Sequence, residues 1–147
     1  MKKMILLALV LVVSAAMVFA SVTVSADELA LGDVSSASPL KGLTLNGEAT
    51  VELSPEGTGY AQMLTLPSTS SISFDAKAGE SLDLFALVPD GGSSLELKLT
   101  GPDGEEVPAS SSSEESTVKI LTNLPTDGTY TLAPLGGSAS LFSITVE

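Results

Sequence analysis

Eighteen carboxylates, no histidine and no cysteine are the first chemical facts of this 147-residue chain. Without imidazole or thiol there is no Ser-His pair, no thiolate nucleophile and no zinc site of the usual ligands. Two chemistries survive that inventory. A pair of carboxylates can run glycoside hydrolysis, one as acid and the other as base or nucleophile. The Asp and Glu residues, however, fall mainly in turns or at outward strand positions, and there is no tryptophan for stacking on sugar. A Ser-Lys dyad could be drawn from the many serines and the four lysines after Ala26, but no spacing favours it. The residues predict no enzyme and no catalytic set.

Metal and phosphate chemistry fare little better. Calcium takes six to eight oxygen ligands, mostly carboxylates and carbonyls. Asp103, Glu105, Glu106, Glu114 and Glu115 lie on segments that a fold could bring together, with Asp90 on a comparable turn. No twelve-residue EF-hand loop and no repeated Asp-x-Asp pattern accompanies them. Plain turn chemistry and solvated charge are expected there; no cofactor is implied, and calcium is the one metal left in play. Gly91-Gly92 and Gly136-Gly137 lack the lysine and following helix of a phosphate loop, so they read as turns.

The first residues carry an address. Lys2 and Lys3 precede an apolar run from Met4 to Ala20, and small residues follow. That is the layout of a helical secretory signal peptide, predicted over residues 1–26 with Val24-Ser25-Ala26 as the cleavage tripeptide. An earlier cut after Ala20 fits too, and an uncleaved anchor is the rival, since 4–24 is just long enough to span a bilayer. Without cysteine, the exported chain carries no disulfide and must rely on a packed core. After Ala26 there are four lysines against all eighteen carboxylates, a formal charge of −14. Nucleic acid binding needs cationic side chains to displace counterions, so that partner is excluded. Anionic membrane surfaces are disfavoured after signal cleavage for the same reason. The predicted setting is secreted, extracellular or at the cell surface.

Residues 27–42 (DELALGDVSSASPLKG) have no period and read as a flexible leader. From Leu43 the chain breaks into short apolar runs cut by Gly, Pro, Asn and Asp. ATVEL (49–53), SISFDA (71–76) and SLELKL (94–99) alternate apolar with polar residues, the period a half-buried strand requires. SLDLFALV (81–88) is more continuously apolar and is predicted to be a central strand covered on both sides. TVKILT, TYTLA, LFSITV and YAQMLTL complete about nine strands, separated by turn sequences such as SPEGTG and PTDGTY. SSSSEES (110–116) reads as a solvated loop. An all-β, jelly-roll-like antiparallel sandwich over 43–147 follows, as a single domain.

Tyr130 is one of only two tyrosines and sits just after the Asp127-Gly128 turn. Tyrosine buries an apolar ring yet keeps a hydroxyl for a nearby backbone group. It is predicted to close one end of the sandwich, with Phe142 of the last strand as its aromatic neighbour.

The order of motifs resembles the bacterial pre-peptidase C-terminal domain. SISFDAKAGESLDL (71–84), SLELKLTGPDG (94–104), NLPTDGTYTL (123–132) and LFSITV (141–146) carry the resemblance, which covers roughly 43–147. Aspartates that often flank the 95–99 strand in that family are replaced by Ser93, Ser94 and Glu96. The resemblance implies a secreted sandwich with an accessory role toward extracellular polysaccharide or protein. The leading expectation is a non-catalytic binding module whose ligand residues are not named by the sequence. The alternative is an envelope or filament subunit that donates its leader as a strand to a neighbour.

Overall fold

A computed structural model describes residues 22–35, 40, 42–88, 96–114 and 117–147. Residues 1–21 of the helical signal expected over 1–26, the turn residues Asp90 and Gly91-Gly92, and Leu95 and Glu115 lie outside the described residues. Two antiparallel sheets make the sandwich, as the alternation predicted. The strands are β1 (Val22–Ser25), β2 (Gly32–Ser35), β3 (Thr44–Asn46), β4 (Glu48–Leu53), β5 (Gln62–Leu66) and β6 (Ser71–Ala76). They continue with β7 (Ser81–Leu87), β8 (Leu97–Thr100), β9 (Ser110–Glu114), β10 (Thr117–Asn123), β11 (Gly128–Pro134) and β12 (Ala139–Val146). The larger sheet runs β2-β4-β5-β12-β7-β10-β9, with β1 added against β12; the smaller runs β3-β6-β11-β8.

Alternation explains the core. Along β7, Leu82, Leu84 and Ala86 are buried while Ser81, Asp83, Phe85 and Leu87 face outward and are half-buried. Facing them from the smaller sheet are Ile72, Phe74, Leu99, Tyr130 and Leu132. Burying each such aliphatic side chain contributes about 1.5–3 kcal/mol before chain entropy is charged against it. β7 is central in its sheet, but only its inner face is fully buried; the outer face is partly covered, where the apolar run predicted cover on both sides.

Three further expectations are corrected by strands that carry weak sequence signals. The strands begin at Val22, ahead of the sandwich boundary placed at Leu43. β1 pairs with β12, and a 3-10 turn at Ala26–Glu28 leads to β2, which pairs with β4 of its own chain. The stretch expected to be free for donation to a neighbour is thus partly engaged at home. The supposed loop at 110–116 contains β9, an edge strand paired with β10 from Ser110↔Leu121 to Glu114↔Thr117. Ladder bonds need only backbone, and a run of serines shows no period from which pairing could be read. β8 starts at Leu97, which is half-buried and packs against the core in phase with Leu99, as the alternation implies.

Tyr130 closes one end of the sandwich. It is fully buried; its hydroxyl donates to Thr126 O at 2.6 Å and accepts from Thr126 N at 3.1 Å. The turn before it is pinned from two sides. Asp127 Oδ1 accepts from Ala78 N at 2.8 Å, and Gly128 (φ +140°) lies where a Cβ would come within 2.6 Å of the Pro102 ring. Its aromatic neighbour is Phe74, stacked at 5.7 Å, and not Phe142 as expected. Phe142 belongs to a different face, described below.

Replacing Tyr130 with Phe keeps the ring and strands both Thr126 groups. Urea denaturation should show a loss of about 1–3 kcal/mol at unchanged slope. An unchanged midpoint would show that the hydroxyl pair contributes nothing to closure.

Candidate functional site

Of the carboxylates considered for calcium, Asp103 is occupied with backbone, as are Glu80 and Asp127 at other turns. Asp103 Oδ1 accepts from Glu105 N at 3.0 Å, Glu80 Oε2 from Lys77 N at 2.8 Å, and Asp127 from Ala78. Glu105 and Glu106 are exposed, and Glu106 bridges Thr100 through backbone. Among the described residues no three acidic side chains converge on a point where a metal could sit. Gly136-Gly137 form the turn between β11 and β12, with Gly136 at φ +73°.

Convergence occurs instead on the outer face of the larger sheet. The period of two sends Asp83 and Phe85 outward from β7 and Lys119 and Leu121 outward from β10. Their registers place Lys119 beside Phe85 and Leu121 beside Asp83. β12 contributes through an irregularity. Leu141 pairs with Ala86, and the next partnered residue, Ser143, pairs with Phe85, so Phe142 and Ser143 together oppose one residue. A bulge of this kind puts two successive side chains on one face and restores the alternation beyond it. Phe142 therefore leaves the inter-sheet core, and Ile144 and Val146 return to it.

Tyr60 covers the displaced ring. The two rings are parallel within 2° at 4.5 Å between centroids, and Phe142 is fully buried beneath. Phe85 is tilted beside Tyr60 at 6.4 Å. Lys119 Nζ stands 5.2 Å from the Phe85 centroid and 3.2 Å from Asp83 Oδ2. The second oxygen, Asp83 Oδ1, is buried and has no hydrogen-bond partner among the described residues. Thr23 and Thr145 hydroxyls, 3.3 Å apart, extend the polar margin. The cation is 42% exposed, so its ion pair contributes at most about 1 kcal/mol to stability; its interest is as a held, solvent-facing donor.

Tyr60 is positioned by elements far apart in sequence. The loop before β5 closes through Ser54 N to Ala61 O at 2.9 Å, and Thr58, buried inside it, takes the Tyr60 amide. Asp27 Oδ1 accepts from Ala61 N at 3.0 Å and Gln62 N at 2.7 Å. Gln62 Nε2 in turn donates to the carbonyls of Ala26 and Leu29, both at 2.8 Å. The 3-10 turn thus anchors the residue pair that follows Tyr60.

What this face offers is an apolar ring surface, a half-buried neighbour ring and a charge-paired ammonium. Such a set suits a ligand with an apolar face and a rim of hydroxyls. Among the recesses elsewhere is a cavity of about 190 Å³ between the sheets. It is lined mainly by core aliphatic side chains such as Leu97, Leu99, Ile120 and Leu132, with Glu106 as its single charge. Sequence reasoning named neither. One signal was present: Phe85 shares its phase with Ser81 and Asp83, a large aromatic at an outward strand position.

No protein-family model matches the chain, and no curated protein matches it by sequence. Solved structures do. One belongs to work on the Ruminococcus flavefaciens cellulosome and its expansion in glycan recognition. It shares 19% identity and a TM-score of 0.53, over 86% of this chain and 92% of that one. Another is the CBM22-1 xylan-binding domain of Paenibacillus barcinonensis Xyn10C, at 15% identity and a TM-score of 0.51, over 85% and 91%. At these identities the likeness is one of fold: nearly the whole chain is similar to a β-sandwich of the carbohydrate-binding-module kind.

Proposed function

We propose that this chain is a secreted, non-catalytic binding module for a neutral extracellular polysaccharide, held on the outer face of the larger sheet. The observation that carries the reading is the stacked Tyr60–Phe142 pair beside Phe85 and the Lys119–Asp83 pair. Phe142 supports Tyr60 from below, so Tyr60 supplies the accessible part of the stack. A sugar ring laid on Tyr60 would set its hydroxyls toward Lys119 and Asp83. An anionic polysaccharide would be repelled by an exported chain of formal charge −14, which favours an uncharged one.

Fold likeness to glycan-recognition structures supports this reading, and so does the order of motifs resembling the pre-peptidase C-terminal domain. Among the described residues no helix is long and apolar enough to cross a membrane. Export itself rests on the amino-terminal sequence pattern.

Affinity electrophoresis through gels holding xylan, mixed-linkage glucan, mannan or soluble cellulose derivatives tests the reading. Retention by at least one neutral glycan is expected. Tyr60→Ala, checked for fold by circular dichroism, should weaken binding at least about tenfold, or 1.4 kcal/mol. No retention on any neutral glycan, or undiminished binding by the variant, would overturn it.

Salt gives an independent check. Contacts to an uncharged ligand are barely screened, so retention should hold between about 50 mM and about 500 mM sodium chloride. A steep loss over that range would point to a charged partner instead.

A further inference from the structure

We propose that the exported chain begins at Ser21, by hydrolysis of the Ala20–Ser21 bond, and not at Asp27. The proposal rests on residues 1–20 serving as an export signal. Val18-Phe19-Ala20 and Val24-Ser25-Ala26 both place valine three residues and alanine one residue before the cut. Small-residue rules therefore do not separate them. The fold does.

Val22 to Ser25 are β1, and each pairs with β12: Val22↔Val146, Thr23↔Thr145, Val24↔Ile144 and Ser25↔Ser143. Val24 and Ala26 are buried members of the core, and Val22 packs against it. A cut after Ala26 removes this strand and leaves that side of β12 without its ladder over 143–146, an open edge next to the bulge. It takes away the Ala26 carbonyl that accepts from Gln62. It also makes Asp27, which holds the amides of Ala61 and Gln62, a charged chain terminus. Those are the two residues that follow Tyr60. A cut after Ala20 leaves all of this in place.

The chemistry is simple amide hydrolysis by a signal peptidase, with water as co-reactant. The bond between the Ala20 carbonyl carbon and the Ser21 nitrogen breaks. Water supplies the hydroxyl that completes the Ala20 carboxyl and the proton that completes the Ser21 amine.

The test expresses the full-length precursor in a secreting bacterial host and reads the released chain by amino-terminal sequencing and intact mass. A start of Ser-Val-Thr-Val is expected, and Ala20→Leu in the precursor should abolish that product. A released chain starting at Asp27 overturns the cut site while leaving export intact. A chain kept inside the cell with Met1 overturns the export reading and the proposal with it. An Ala20→Leu precursor that still yields Ser21 also counts against it. Thermal melting isolates the structural ground: a chain starting at Asp27 should fail to fold or melt about 5–10 °C below the one starting at Ser21. Equal midpoints would remove that ground.

Discussion

One strand holds the larger sheet together, and its irregularity makes the surface. β12 pairs along one side with β7 and along the other with β5 and then β1. Leu141, Ile144 and Val146 point into the core from it. A regular strand could not keep all three inward, because Leu141 and Ile144 differ by an odd number of positions. The extra residue at the bulge resolves that conflict and sends Phe142 outward. An aromatic ring left on a sheet face is costly to expose, and Tyr60 stacks over it. The pair then gives the outer face an apolar centre.

The acidity of the chain is managed through backbone. Asp27, Glu80, Asp103 and Asp127 each accept from main-chain amides at loops or turns. Amide hydrogens are partial positive charges in fixed positions, so these carboxylates gain partners without needing lysines that the chain scarcely has. Two of these contacts have positional value. Asp127 ties the turn before Tyr130 to the Lys77–Glu80 turn, and Asp27 ties the amino-terminal turn to the start of β5. One fastens the closed end of the sandwich, the other the approach to Tyr60.

The period-two strands were legible because burial on one face leaves a strong imprint: Ile72, Phe74 and Ala76, or Val51 against Glu52. The role of Tyr130 was legible from its place after Asp127-Gly128. Three things were hidden. β1 lies in a stretch whose valines continue the apolar tenor of the amino terminus. β9 is a run of serines, without pattern. The bulge in β12 cannot be seen in LFSITV, so Phe142 reads as a core residue and the proposed binding face goes unseen. Tyr60 lies in a Gly- and Pro-containing loop, where nothing local marks the ring it will cover.

The central claim is that the rings gathered by the bulge meet the ligand, while the core rings do not. Aromatic NMR spectra of ring-labelled protein, titrated with the neutral glycan that retains it, test this most directly. The account predicts that Tyr60 and Phe85 resonances move together and saturate, while Phe74 and Tyr130 stay fixed. Shifts confined to Phe74 and Tyr130, or saturation of binding with Tyr60 and Phe85 unmoved, would contradict it.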